Sequence, residues 1–537
     1  MSHAGPARRW SGLAVLAGLA GVFWSQVRWA RVSNFGGYDE WLILWLTSRG
    51  IVSFPYARRP LELVWALPAP LLFPHRWLGF RLLHAAYLFL GALLFYRLCR
   101  RLIPRHLPIA FLAAAFSLTW APSDPVRLQL VESIGYAGVT FGSLLALLLL
   151  VESWPARSPL GLAAGMGVGF ATTLGYESVL PLLAAGALLL WMAAAEKPRR
   201  LWVWMALWEG MVGLAAARIL WQFLGTGSYQ GAMGLDWRPL AVGARLLHQY
   251  ALHLRPLAML PEGTLAPALV SAITAAAAVA LATVRRGEIL AGPDARPRCV
   301  ALMALGLALA GCGYAFFVLS AGVREAERTE FLSAPGIGLF LAASAGLVAT
   351  AMPVRLRGPA LAAAAAWIVG VGTAHVVARQ REWDATSAYP GQKRALAGLV
   401  AAVPDVRPHT LVVLLDEPKS WPATFGFRAA VEYLYQRRAT GIVMGAWPYL
   451  FPTYFTPDGI RTEPHPEIQA PWDCPPTRHR YDEVVVARIA AAGTLQVLDR
   501  WPAEELSALP RGAAYAPRAR IVSGSPPRDE PEILAAP

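Results

Sequence analysis

Apolar runs, many of 18 residues or more, recur along the first 377 positions, and this feature restricts the fold more than any other. In water such faces aggregate, whereas a lipid core requires them, and a helix needs about 20 apolar residues to span it. Read as spans, the runs fall near 10–29, 77–96, 107–121, 135–151, 158–175, 178–195, 201–223, 264–284, 299–321, 332–352 and 358–377. The first run follows Arg8 and Arg9, is long for a signal peptide and lacks a small-x-small cleavage site, so it reads as an uncleaved signal-anchor helix. The expected fold is therefore an all-α polytopic membrane protein of about eleven transmembrane helices. The 21 Trp and 16 Tyr suit it, because amphipathic rings collect at the headgroup level.

A net charge of +14 could mark a nucleic-acid binder, but the Lys and Arg stand in short clusters between apolar runs and form no continuous basic face. No nucleic-acid partner is expected. The clusters instead act as topology signals. With a cytoplasmic N-terminus, the inside turns carry Arg97, Arg100 and Arg101, then Arg157, then Lys197, Arg199 and Arg200, then Arg285 and Arg286, then Arg355 and Arg357. The opposite side collects Asp39, Glu40, Glu62, Asp124, Glu177 and Asp236. This alternation fits the positive-inside rule and an odd number of spans, which sends the chain beyond about residue 378 to the outer side. Cys99, Cys299, Cys312 and Cys474 are scattered and form neither a disulfide framework nor a zinc motif.

Three regions follow: 1–380 as the membrane domain with a first outer loop at 30–76, 381–508 as a small extracytoplasmic domain, and 509–537 as a loosely ordered tail. The small domain reads as α/β or irregular. A helix is expected near Gln392–Val403, a strand at Thr410–Leu415, a second helix near Phe425–Arg438 and a short strand at Val484–Val486.

The first outer loop carries the most chemistry. It reads Asn34-Phe-Gly-Gly-Tyr-Asp-Glu-Trp41 and later Arg58-Arg59-Pro60-Leu61, with an apolar stretch at Trp41–Thr47 that suits a helix lying in the membrane interface. A carboxylate there can accept a proton from a hydroxyl, coordinate a divalent cation such as Mg or Mn, or simply be solvated. Arg58 and Arg59 suit phosphate oxygens, or alternatively pair with the loop's own acids.

In its layout and its Tyr38-Asp39-Glu40 motif, the chain resembles the GT-C superfamily of membrane glycosyltransferases, which includes protein O-mannosyltransferases and lipid A aminoarabinose transferases. Arg58-Arg59-Pro60-Leu61 falls where that family often has a basic-Pro-Pro-like segment. The resemblance implies that Asp39 activates the acceptor hydroxyl, with Glu40 orienting it or binding metal. It also implies a polyprenyl-phosphate sugar as donor, a lipid or glycan acceptor, and a place in a plasma membrane such as the bacterial inner membrane. By the same resemblance Asp124 is a second acidic residue near the acceptor or a metal; otherwise it is a turn or capping residue.

Glu177 sits between two runs with hardly any loop, where it is either exposed or turned toward the cavity of Asp39. Arg328 lies in a dense charged loop that either pairs with itself or reaches a phosphate. Two other readings stand beside the transferase. A transporter or flippase of lipid-linked saccharides would use mid-span ionisable groups such as Glu209 and Arg218. A non-catalytic scaffold would work through the outer tail.

Overall fold

The computed structural model of the protein describes residues 6–29, 39–53, 59–74, 76–104, 106–122, 131–224, 234–283, 290, 294–320, 330–446, 452–463 and 476–524. The first ten helices are α1 (Pro6–Val27), α2 (Glu40–Thr47), α3 (Pro68–Leu72), α4 (Trp77–Leu102), α5 (Leu107–Thr119), α6 (Glu132–Ser153), α7 (Pro159–Gly175), α8 (Leu180–Ala184), α9 (Gly186–Ala193) and α10 (Arg199–Leu224). They are followed by α11 (Pro239–Leu254), α12 (Leu265–Thr283), α13 (Ala295–Leu319), α14 (Glu330–Thr350), α15 (Val354–Thr386), α16 (Tyr389–Ala402) and α17 (Thr424–Leu434). Six of them (α4, α6, α10, α13, α14 and α15) are long and apolar enough to cross a membrane. The other five predicted runs lie on shorter apolar helical segments: Leu13–Val27, Leu107–Thr119, Pro159–Gly175, Glu177–Ala193 and Leu265–Leu281. α15 runs nine residues past the expected end of its span, to Thr386.

Lipid supplies little hydrophobic drive between apolar helices, so close backbone approach has to hold them together. α14 shows how. It is wedged between α13 and α5, and the glycines on its faces let both neighbours come near. A Cβ built on Gly336 would lie 2.2 Å from the Ala310 backbone nitrogen of α13.

The C-terminal region forms a four-stranded sheet in the order β3 (Ala439–Met444), β2 (Thr410–Asp416), β7 (Val484–Ile489), β8 (Leu495–Val497). β2 runs parallel to β3 and β7, and every one of its residues is buried, as a central strand covered on both faces requires. α17 connects β2 to β3. The strands expected at Thr410 and Val484 and the two expected helices are present, the helices as α16 and α17. β3 and a separate three-stranded sheet of β4 (Thr453–Thr456), β5 (Gly459–Thr462) and β6 (Thr477–His479) are additional. Within the 509–537 segment, residues up to 524 are described and pack onto this body. β9 (Ile521–Val522) pairs with β1 (Asp405–Val406), and the Tyr515 hydroxyl donates to Leu498 O at 2.7 Å and accepts from Val486 N at 3.1 Å.

The interfacial helix expected at Trp41–Thr47 needs correction. α2 forms, but all eight of its residues are buried. It lies under the C-terminal domain, against α17. Trp41 Nε1 donates to Gln392 Oε1 at 2.9 Å, and its ring lies 5.9 Å from that of Trp421. The stretch is apolar on every side, and a helix of that kind seeks a core rather than an interface.

The wedge of α14 is testable. Gly336→Ala should lower the unfolding midpoint of the detergent-solubilised protein by the equivalent of roughly 1–3 kcal/mol, the cost of overpacking. Gly243→Ala, where a Cβ meets nothing within 4 Å, should leave the midpoint unchanged or raise it.

Candidate active site

The first loop is docked rather than solvated. After Arg59 the chain makes a 3-10 turn at Glu62–Trp65, and Leu61 N donates to Leu174 O at 3.3 Å near the end of α7. Trp65 lies on α6, where a Cβ at Gly138 would come within 2.5 Å of it, and its carbonyl accepts from the Tyr87 hydroxyl at 3.0 Å.

This docking brings Arg59 to Glu177. Arg59 Nε donates to Glu177 Oε2 and Nη2 to Oε1, both at 2.6 Å, while Nη1 donates to Glu62 Oε1 at 2.7 Å. The guanidinium also stands 4.5 Å from the centre of the Tyr176 ring. Glu177 is 2% exposed, so its placement at the tight turn between α7 and α8 is inward, not solvent-facing. Burial alone would pull Arg59 down, but Glu177 and Glu62 hold it charged, well above its usual range.

Glu62 behaves differently. Burial pushes its carboxyl up to about 7, Arg59 opposes the shift, and the nearby carboxylates of Glu177 and Asp39 add to it. Its second oxygen, Oε2, is buried and has no hydrogen-bond partner among the described residues. Sequence reading placed Glu62 only among the outer acids. The signal was its i,i+3 spacing from Arg59, legible once a helical turn there is known.

Asp39 is half-buried at the N-terminus of α2, close enough for its charge to act on Glu62, and its side chain makes no capping bond to the helix. Its neighbour Glu40 is fully buried and accepts from Val131 N at 3.3 Å, which ties α2 to the start of α6. Thus Asp39, Arg59, Glu62 and Glu177 are brought to one end of the bundle. Arg218 of α10 also lies within electrostatic reach of Glu177. Arg58, Asp124 and Arg328 lie outside the described residues. No group of three or more His, Cys, Asp or Glu among the described residues is arranged to hold a metal ion.

From this cluster a chain of rings leads inward. Tyr176 meets Tyr136 edge-on at 5.2 Å, and Tyr136 stacks on Phe331 at 6.2 Å. Phe331 lines a crevice with Tyr87, Thr140, Phe141 and Glu330, between α4, α6 and α14. The arrangement offers a carboxylate with proton-accepting capacity at a bundle end, beside an amphipathic crevice opening among spanning helices.

Removing one partner of a buried ion pair strands the other charge, while replacing both with apolar groups does not. Arg59→Met and Glu177→Met should each cost roughly 3–5 kcal/mol in a detergent unfolding assay, and the double variant much less than their sum. Additive losses would show that the pair is not coupled. Glu62 adds a pH dependence. Its folded carboxyl titrates above the ~4.3 of an exposed glutamate, so its ionisation is a cost that is absent at lower pH and complete above about 7. Glu62→Gln should therefore be more stable than wild type near pH ~8, on the order of 2 kcal/mol, and little different near pH ~4.5. A variant less stable than wild type at the higher pH would contradict this.

No family model and no curated protein matches the chain. Among solved structures it is similar to the oligosaccharyltransferase of Archaeoglobus fulgidus tethered to an acceptor peptide containing the NVT sequon, at 14% identity and a TM-score of 0.40, covering 81% of this chain and 64% of that one. The same oligosaccharyltransferase in complex with Zn and sulfate matches at 14% identity and a TM-score of 0.40, over 79% of this chain and 62% of that one. ArnT from Cupriavidus metallidurans, bound to undecaprenyl phosphate, matches at 14% identity and a TM-score of 0.35, over 81% of this chain and 86% of that one. The chain spans less than two thirds of the length of the oligosaccharyltransferase chains it matches.

Proposed function

We propose that this chain is a membrane glycosyltransferase of about eleven spans. It moves a sugar from a polyprenyl-phosphate donor to a lipid or polymer acceptor at the outer face of a plasma membrane, with its C-terminal domain on that face. One observation carries the reading: Glu62 and Glu177 converge on Arg59 at one end of the bundle, with Asp39 within electrostatic reach of Glu62. The carboxylates give the acceptor a base, and the apolar helices around them suit a donor carried on a lipid.

In this reading the acceptor hydroxyl oxygen attacks the anomeric carbon from the face opposite the phosphate, inverting it. The bond from the anomeric carbon to the phosphate oxygen breaks, and polyprenyl phosphate leaves with the bonding pair. The hydroxyl proton passes to the Asp39 carboxylate. Glu40 is a positioning residue, holding α2 to Val131 and so fixing the backbone beside Asp39. Arg59 and Glu177 form the rigid floor of the site, and their mutual pairing keeps Arg59 from serving as an open phosphate clamp. Arg58, Arg328 and Asp124 take the phosphate and acceptor contacts, with a divalent cation on Asp39 and Asp124 if one is used. Arg218 belongs to this same end of the bundle, which favours a role in the transferase site over a mid-membrane transport relay.

Asp39→Asn keeps the size and removes the base. In proteoliposomes supplied with polyprenyl-phosphate sugar, it should lower turnover by about 10²-fold or more, the usual contribution of a general base, while the unfolding midpoint and donor binding stay at wild-type values. Turnover equal to wild type would remove Asp39 from the role.

A further inference from the structure

The opposite end of the bundle holds a second built feature. α4 runs 26 residues from the first-loop end, about 39 Å at helical rise, and closes on Arg97, Arg100 and Arg101. Beside it lie the end of α6 with Glu152 and Trp154, the turn at Arg157, and the start of α10 with Arg200. Between these elements and α1 opens a crevice of about 1180 Å³.

Its inner wall is apolar, formed by Val15, Leu16, Leu93 and Val151. Its rim is basic, with five arginines against Glu152 and Glu196. Glu152 is already engaged, accepting from Arg97 Nε at 3.0 Å and from Arg101. Arg100, Arg157 and Arg200 have no carboxylate partner among the described residues. Arg100 leans over the Tyr96 ring and Arg200 over Trp204, which itself packs edge-on against Trp154 at 5.6 Å. Arg157 is held at φ +50°, in the left-handed region where glycine is the unstrained choice for closing a helix. The turn thus keeps a cation at the crevice where a glycine would ease the backbone.

Unpaired guanidinium groups at a rim, above an apolar wall, match one chemistry: a phosphate headgroup carried on acyl chains. Guanidinium recognises phosphate oxygens in a bidentate manner, and basic pockets between transmembrane helices accept anionic headgroups. We propose that this crevice binds an anionic phospholipid, with its phosphate on Arg100, Arg157 and Arg200 and its acyl chains along Val15, Leu16 and Leu93. The site is separate from the Arg59 cluster, about one bilayer thickness away, and stands whether or not that cluster is catalytic.

The test is native mass spectrometry of the full chain in mixed micelles of phosphatidylglycerol, cardiolipin and phosphatidylcholine. Wild type should retain the anionic lipids over phosphatidylcholine by about tenfold, as a charge-selective pocket requires. The variant Arg100→Gln/Arg157→Gln/Arg200→Gln should lose most of that preference. Arg97→Gln/Arg101→Gln, which removes arginines already held by Glu152, should keep it. Should the triple variant fail to fold, Arg200→Gln alone is read in the same assay and should lower retention. Equal retention by wild type and the triple variant, or by wild type and Arg200→Gln where the triple variant does not fold, overturns the proposal, as does equal loss in the Arg97/Arg101 control. Inorganic phosphate and glycerol phosphate should not raise the unfolding midpoint; if they match the lipids, the ligand is a free phosphate and the lipid assignment fails.

Discussion

The buried pairing of Arg59 with Glu177 sets the position of nearly everything at its end of the molecule. Two ions placed beside an apolar bundle lose hydration worth several kcal/mol each, and only close bidentate geometry returns it. That requirement fixes the first loop against the turn between α7 and α8, because no looser arrangement satisfies both charges. Tyr176 and the ring chain through Tyr136 to Phe331 then follow from where the guanidinium sits. Glu62 is the third charge in a space that pays for one pair, and its raised carboxyl expresses that excess.

A second consequence is that the first loop has no independent existence. α2 shares one apolar core with α17, Trp421 and Tyr389 of the C-terminal region, and with Trp77 and Phe80 of α4. The segment bearing Asp39 is thereby gripped from two sides, by the bundle through Glu40 and Val131 and by the sheet domain through Trp41 and Gln392. Loss of the sheet domain would therefore disturb the loop itself, not only a distant appendage.

Much of the bundle was legible because lipid imposes a period-free apolar run on each span, a signal strong enough to survive without an alignment. The central strand β2 was legible for the same reason in miniature, as an uninterrupted Leu-Val-Val-Leu-Leu run. β3 was not, since Thr440 and Gly441 interrupt it and its burial depends on α17 lying over it. The strands β4 to β6 have three or four residues each, too few for alternation to register. At the site, Asp39, Arg59 and Glu177 could be singled out by residue type and position. Their pairing could not, because Arg59 and Glu177 are 118 residues apart and meet only through tertiary docking. The burial of α2 was missed because an apolar heptad reads alike whether its cover is lipid or another domain.

α15 continues unbroken for 33 residues, roughly 50 Å, from within the bundle to Thr386, and α16 begins three residues later. Its interior proline, Pro359, lies near the start, and the stretch beyond it acts as a lever arm. A tilt of about five degrees around its middle displaces its far end by roughly 2 Å, and α16 carries that displacement to Gln392, where Trp41 is bonded. Helix tilt is set by packing against neighbouring helices, so the contacts of α15 with α12 inside the bundle fix where Gln392, and with it the Trp41 end of the Asp39 segment, can sit.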